Sequence, residues 1–325
     1  MTNKIATIIV TFNRINLLLK VLEAVEREVE SKGILIIVDN NSSDGTEEEL
    51  VRVGYVFDEF SPYEEDTGKI SINIKENLKI IYLKLDKNIG GSGGFYYGVK
   101  LALKEEWGWL WFLDDDAKPQ PGCLKELLKY AKKSDVLVPL RISNPIDVRE
   151  FPAIRFNMRN PFLKEVRDVG FYKNYEKIED LPETIEVEDF SFEGPLIKRR
   201  VIEEMGPPKK DIFISGDDTD YALRILRKYG KKHLLITRAI IERISPSKKS
   251  EIIPLWKEYY LKRNYYYTHY TYGENVFVKI KPFFLFLFSI IKNTLKMRMS
   301  VEKFKVNLYA FWDSIKKKMP IRYKP

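Results

Sequence analysis

The chain has 325 residues, 44% of them hydrophobic and 31% charged, with a formal net charge of +8. This composition excludes a disordered chain, and the length suits one large α/β domain with an appendage, or two domains. A single cysteine, Cys123, excludes a disulfide framework and a cysteine-based zinc site, and only two histidines, His233 and His269, exclude a multi-histidine metal site. The opening MTNKIATIIVTF has too short an apolar run for a signal peptide and no cleavage site, so a cytoplasmic catalytic part is expected. The charge is uneven. Residues 246–325 hold 17 Lys/Arg against 5 Asp/Glu, a net +12, which leaves the first 245 residues at −4. A basic segment of this kind suits an anionic partner, a membrane or a nucleic acid.

In chain order, residues 4–12 are apolar and β-branched and read as a strand. Leu17, Leu18, Val21, Leu22, Val25 and Val29 then recur at helical spacing. Gly33 ends that helix, and residues 34–38 form a second strand with Asp39 at its tip, which makes a βαβ opening. Asp44 or Thr46 is placed to cap a short helix through Glu47, Glu48 and Glu49. No glycine fingerprint follows the first strand, and no Walker-type loop is present, since Gly68-Lys69 is followed by Ile70. Residues 55–75 read as a polar, irregular surface excursion and residues 78–83 as a third strand. In NIGGSGGF, Gly90, Gly91, Gly93 and Gly94 let backbone approach a ligand, and a helix opening from Gly93 would present its N-terminus to an anion.

Residues 109–113, WLWFL, run without interruption into Asp114, Asp115 and Asp116. A strand covered on both faces is continuously apolar, so the three carboxylates sit just past the C-terminal end of a buried parallel strand. Ligands bind there in open α/β sheets. Three adjacent anions call for a cation, and oxygen ligands on this spacing suit Mg²⁺ or Mn²⁺ held together with substrate phosphates. Residues 120–133 read as a helix and 136–139 as a short strand. Residues 141–184 are poorly periodic and rich in Asn, Pro and aromatics, an insert expected to shape a substrate site or a lid. Residues 187–197 read as one strand containing Gly194. A second acidic cluster, Asp217, Asp218 and Asp220, follows another short apolar run and opens a helix. The helix dipole accounts for one or two of these acids. Two acidic clusters in one α/β domain point to a division of roles, one holding metal and one acting as a base. Residues 233–237 form a further strand, and His233 on it reads as structural.

These segments resemble the family 2 glycosyltransferases of the GT-A fold over roughly residues 4–265. IIVTFNR is similar to the family's first strand and VDNNSSDGT to its second. DDDA at residues 114–117 is similar to its metal-binding DxD motif, and FISGDDTDYALR to the acidic motif whose second acid is the catalytic base. EYYLKRN, residues 258–264, resembles a YYxxRN segment near the end of the catalytic domain. NIGGSGGF together with DDDA looks most like the galactofuranosyl- and rhamnosyltransferase branch. That branch carries an extra metal-ligand histidine shortly after Ala239. Here RAIIERIS places Glu242 and Arg243 around that point, so either Glu242 substitutes as an oxygen ligand or the metal has two protein ligands.

The resemblance implies a GT-A domain over residues 1–245, a mixed, mainly parallel Rossmann-like sheet flanked by helices, followed by a basic amphipathic helical segment over 246–325. It implies an inverting, metal-dependent transfer of a sugar from a UDP-, dTDP- or GDP-sugar to a hydroxyl of a glycan or lipid-linked acceptor, as in polysaccharide biosynthesis. Asp114 and Asp116 would hold Mn²⁺ or Mg²⁺, Asp115 would contact the sugar or ribose, and Asp218 would be the base. Thr11, Asn13, Arg14 and Asp39 would line the nucleotide, with Asn88, Gly90 and Gly91 against the sugar and diphosphate.

The C-terminal segment places Phe284, Phe288, Ile291, Leu295 and Met299 on one helical face, and Val301, Phe304, Leu308, Trp312, Ile315 and Met319 on a second. Its uninterrupted apolar run, residues 283–291, is far short of the ~20 residues needed to span a bilayer. Basic amphipathic helices with aromatics lie in the interface instead, which predicts peripheral contact with the inner face of the cell membrane. Packing of these helices on the catalytic domain or on a second subunit is the alternative. A nucleic-acid-binding protein is disfavoured by the absence of any recognised motif and by the acidic clusters. A sugar-nucleotidyltransferase would need a basic, glycine-rich loop after the first strand, where only Arg14 stands.

Overall fold

The computed structural model describes residues 4–29, 33–63, 67–143, 150–163, 166–245, 253–295, 300–316 and 319–323. The βαβ opening is β1 (Ile5–Thr11), α1 (Ile15–Glu28) and β2 (Gly33–Asp39), with Thr11 in register with Asp39. Every residue of both strands is buried, as expected for a parallel pair covered on both faces. The short helix α2 (Thr46–Arg52) is entered through Gly45 in the left-handed region, at φ 83°. Asp44 does not cap it. Its carboxylate accepts from the backbone N–H of Ile15, at the start of α1, at 3.1 Å, and from the Thr46 hydroxyl.

The stretch expected to be irregular instead contains β3 (Ser61–Pro62) and β4 (Gly68–Lys75), the latter antiparallel to β5 (Leu78–Leu85). The alternation of β4 is inverted. Ser71 and Asn73 point inward and donate to the carbonyls of Phe57, Gly54 and Tyr55, while Ile72 and Ile74 face outward. Polar residues at inward positions are why the strand looks like a loop in sequence.

Next come α3 (Gly90–Ala102), which opens at Gly90 rather than Gly93, and β6 (Trp109–Asp114), buried up to its last residue. After it run β7 (Ala117–Pro119), α4 (Cys123–Leu128) and β8 (Val136–Ile142), so the expected helix over 120–133 shrinks to α4 and turns. The 141–184 insert includes a two-residue hairpin, β9 (Arg155–Phe156) with β10 (Arg167–Asp168), and short 3₁₀ turns. The single strand expected over 187–197 is two: β11 (Thr184–Val187) at the sheet edge and β12 (Leu196–Lys198) between β6 and β8. Then follow α5 (Arg199–Met205), α6 (Asp217–Tyr229) and β13 (His233–Arg243). His233 is buried with a ring nitrogen 3.1 Å from the Ala222 carbonyl, and burial pushes its pKa down to about 4.

The main sheet has the order β11-β13-β8-β12-β6-β1-β2-β5-β4-β3, with β7 paired to β13. Its centre, β6-β1-β2-β5, is parallel, and β12 enters antiparallel beside β6. Parallel strands of this kind deliver Thr11, Asp39 and Asp114 to one end of the sheet.

The C-terminal helices are α7 (Leu255–Tyr272), α8 (Val276–Leu295) and α9 (Val301–Ser314). The expected domain boundary at 245/246 and Met299 lie at or outside the limits of the described residues. α9 turns a polar face inward: Asn307 and Asp313 are buried, and Asp313 takes hydrogen bonds from Tyr259 and Arg322. Val301, Phe304 and Trp312 of α9 and Ile315 just after it are exposed, as are Phe284, Phe288, Ile291 and Leu295 on α8, whereas Val306, Ala310 and Met319 are buried and Leu308 is half-buried. Among the described residues no helix is long and apolar enough to cross a membrane.

Candidate active site

A cavity of about 490 Å³ opens at the C-terminal ends of β1 and β6. All three acids that end β6 line it. Asp115 accepts from the Thr11 hydroxyl at 2.9 Å and from the Phe12 N–H at 3.3 Å. Arg14 Nη1 bridges Asp115 Oδ1 and Asp116 Oδ2, at 3.1 Å to each. Arg243, at the end of β13, stands 3.8 Å from the same Asp116 oxygen. Burial and the nearby charges of Glu193, Asp116 and Asp115 hold the Asp114 carboxyl well above its usual range. Burial raises Asp115 to about 6 against the opposing pull of Arg14. The donor set is all oxygen, and Arg14 bonds to Asp115 and Asp116 rather than to Asp114, whose raising charges are all acids. Both features fit a hard divalent cation. Among the described residues, no three Asp, Glu, His or Cys side chains form a ready-made cage, so an ion here would need the phosphates of a ligand to complete its shell.

The glycine run forms the next wall, and its members do different jobs. Gly90 has φ 80°, and a Cβ there would lie 2.0 Å from the Phe213 carbonyl oxygen. Asn88 Oδ1 accepts from the Gly90 N–H at 2.8 Å, and Asn40 holds the same turn through Ile89 N and Gly90 O. Gly91 lines the cavity with open space where a side chain would be. Gly94 and Gly98 instead let α3 settle onto Val10 and Ile8 of β1.

Asp217 and Asp218 face the cavity from the first turn of α6. The loop before them is contorted: Phe213, Ser215 and Gly216 all have positive φ, at 71°, 64° and 92°. Such backbone persists only when its surroundings fix it. Here α7 fixes it. Asn264 Nδ2 donates to the carbonyls of Ile214 at 2.7 Å and Ser215 at 2.8 Å. Arg263, fully buried with no carboxylate bonded to it, donates to Asp211 O, Ile212 O and Pro320 O. Asp220 turns away, and the hydroxyls of Tyr267 and Tyr272 donate to it. Asp218 is partly open to the cavity yet enclosed by protein on most sides. Burial, then the charge of Asp189, pushes its carboxyl up to about 6, while Asp217 rises to about 8 through burial and the charge of Asp218.

Of the residues expected from sequence, Thr11, Arg14, Asn88, Gly90, Gly91, Asp114, Asp115, Asp116 and Asp218 converge on this cavity. Three do not. Asp39 is buried beside it, accepting from Tyr82 Oη and Ser42 N at 2.7 Å each. Asn13 is spent on the Ser43 N–H at 2.7 Å. Glu242 accepts from Gln120 Nε2 at 2.6 Å, because strand alternation puts Arg243, not Glu242, on the cavity side of β13. Sequence reasoning missed Asn40, Glu193 and Arg243 as cavity residues and gave no role to Arg263 and Asn264. The adjacency of Asn40 to Asp39 and the place of Arg243 beside the expected metal-ligand histidine were usable signals, whereas Glu193 carried none.

The profile of glycosyl transferase family 2 matches residues 6–206, from β1 to just past α5. The chain belongs to that family. It is 26% identical over 232 residues to the galactofuranosyltransferase GlfT1 of Mycobacterium tuberculosis, a match covering 70% of this chain. The chain spans 66%, just under two thirds, of that relative's length. Two solved structures share its GT-A fold. The mannosyltransferase PcManGT from Pyrobaculum calidifontis, in complex with GDP-Man and Mn²⁺, has a TM-score of 0.53 at 12% identity, covering 95% of this chain and 86% of its own. S. aureus TarS 1-349 with UDP-GlcNAc has a TM-score of 0.52 at 15% identity, covering 97% of this chain and 82% of its own.

Proposed function

We propose that this family 2 protein is an inverting glycosyltransferase that moves a sugar from a nucleoside diphosphate sugar to a hydroxyl of a glycan or lipid-linked acceptor. The observation that carries the reading is Asp218, a carboxylate raised to about 6, facing one cavity with the oxygen-rich end of β6. Galactofuranose is the first donor sugar to test, since that sugar is in the name of the curated relatives.

Asp114 and Asp116 would hold Mn²⁺ or Mg²⁺, which supplies neutralisation of the charge that builds on a diphosphate leaving group. Arg14, already bridging Asp115 and Asp116, is placed to follow one of them or to turn to a phosphate. Gly91 leaves room for the donor against backbone. Asp218 takes the proton of the acceptor hydroxyl as that oxygen attacks the anomeric carbon. No protein nucleophile is needed for an inverting displacement. The exposed aromatic faces of α8 and α9, set among lysines, support peripheral contact with an anionic membrane surface, where a lipid-linked acceptor would lie.

The reading is tested by thermal stability against UDP-, dTDP- and GDP-sugars with and without Mn²⁺. A ligand that binds only the folded state raises the melting temperature. A metal-dependent shift with one donor, followed by release of its nucleoside diphosphate, is the expected result. Pyrophosphate as the product, or no shift with any donor, would overturn it.

A further inference from the structure

A second chamber, of about 250 Å³, adjoins the first, and Ser191, Glu193 and Asp218 line both. The first chamber has the glycine run and the three acids of β6; the second has neither. Among the described residues its wall carries four carboxylates, Glu150, Asp189, Glu193 and Asp218, against two guanidinium groups, Arg141 and Arg167. Both guanidinium groups are paired with a carboxylate, although Arg141 Nε is buried without a hydrogen-bond partner among the described residues, 3.8 Å from Glu150 Oε2. Arg141 Nη1 donates to Glu193 Oε1 at 2.6 Å, and Arg167 Nε donates to Asp189 Oδ2 at 3.0 Å. A phosphate entering this chamber would face an excess of carboxylates, and like charges in contact are penalised. A neutral hydroxyl would not.

The chamber also holds an unmet hydrogen-bonding group. Glu193 is 8% exposed, and its Oε2 is buried with no hydrogen-bond partner among the described residues. A buried carboxylate oxygen without a donor is costly and calls for a ligand O–H or N–H. The Thr219 hydroxyl donates to Asp189 Oδ1 at 3.1 Å, which leaves its oxygen free to accept from a ligand.

We infer that this second chamber is the acceptor subsite, and that it takes a neutral, polyhydroxylated sugar unit rather than a phosphate-bearing group. The inference rests on the transferase reading above. In the step it serves, the acceptor O–H gives its proton to the Asp218 carboxylate while its oxygen bonds to the anomeric carbon. The bond from that carbon to the diphosphate breaks, and its electron pair leaves with the nucleoside diphosphate. An acceptor that is lipid-linked must then already bear a sugar. The enzyme extends a glycan, and a separate glycosyl transfer onto the carrier must supply its substrate.

The test measures nucleoside diphosphate release by the full chain with Mn²⁺ and the donor found in the thermal panel. The probes are neutral methyl glycosides on one side, and glycerol 3-phosphate and farnesyl phosphate on the other. At least one methyl glycoside should accelerate release severalfold over donor hydrolysis, and neither phosphate should. Thr219→Val, at a residue that lines the second chamber alone, should raise KM for that glycoside severalfold and leave the donor KM within about twofold. Glu193→Gln should shift the same constant in the same direction, and it carries the comparison on the acceptor constant if Thr219→Val does not fold. Phosphate probes as effective as the best glycoside would overturn the inference. So would a Thr219→Val variant that loses donor or Mn²⁺ affinity instead, or the lack of both acceleration and a saturation-transfer NMR signal from every glycoside. Failure of the transferase reading itself would appear earlier, in the donor arm, before any acceptor is added.

Discussion

The two acidic clusters look alike in sequence and are held by opposite means. Asp114–Asp116 end a buried parallel strand and are secured ionically, Arg14 bridging two of the three carboxylates. Asp217 and Asp218 open a helix after three positive-φ residues, and the loop is secured by the amide of Asn264 and the carbonyl-bound guanidinium of Arg263. Sheet register places Asp114, Thr11 and the Phe12 N–H hold Asp115 just beyond the strand, and the half-exposed Arg14 is the partner that can move toward a ligand. The loop has no such register and depends on a helix some 50 residues downstream. A cluster meant to exchange its cation needs an ionic partner that can leave. A base has to stay put, and hydrogen bonds from a buried helix to the carbonyls of its loop do that without bonding the base itself.

The largest break in this symmetry should come from Asp218→Asn. Loss of a general base costs typically 10²–10⁴-fold, so transfer should fall at least a hundredfold while donor affinity, read by thermal shift, stays near wild type. Normal turnover in that variant would remove Asp218 from the role. Asp114→Asn should act in the opposite sense, abolishing the Mn²⁺-dependent part of the donor-induced shift.

Asn264→Ala comes next. It touches no cavity atom, yet it removes the bonds that hold the base loop, each worth about 0.5–1.5 kcal/mol. kcat should drop roughly ten- to a hundredfold, with the donor KM within about twofold. A variant that loses donor affinity first would mean that α7 supports the whole site rather than the base.

The pH response sharpens the contrast within the second cluster. With Asp218 raised to about 6, kcat should rise with pH up to that value and then level off. A rate flat from pH 5 to 8 would contradict this. Asp217 is raised to about 8, so the folded state holds its proton more tightly than the unfolded chain does. Its contribution to stability is full below its unfolded pKa and is lost as pH rises toward 8. Asp217→Asn should therefore melt a few degrees higher than wild type in metal-free buffer at pH 8.5 and near wild type at pH 4. The smallest effect on chemistry belongs to Phe288→Glu on the exposed face of α8. Sedimentation with anionic vesicles should weaken, and turnover of a water-soluble acceptor should stay within about twofold. Unchanged sedimentation would leave the α8 and α9 faces to protein packing.

The sequence by itself determined the parallel core and the end of it that carries the chemistry. Continuous apolar runs in β1, β2 and β6 and helical spacing in α1 and α6 are local signals, and Asp114–Asp116 and Asp218 are tied to them by chain adjacency. The sequence misled wherever burial ran against polarity. β4 turns Ser71 and Asn73 inward, α9 buries Asn307 and Asp313, and only the carbonyls, Lys262 and Arg322 that meet those groups make such burial tolerable. The tertiary structure alone decided which residue of β13 faces the cavity, because a one-residue change of position on a strand reverses the face and sends Glu242 to Gln120 and Arg243 to Asp116. It alone joined Arg263 and Asn264 to the base loop, and Glu193 to Asp218. Those partners are brought together by packing across the sheet, and no spacing along the chain encodes a contact of that range.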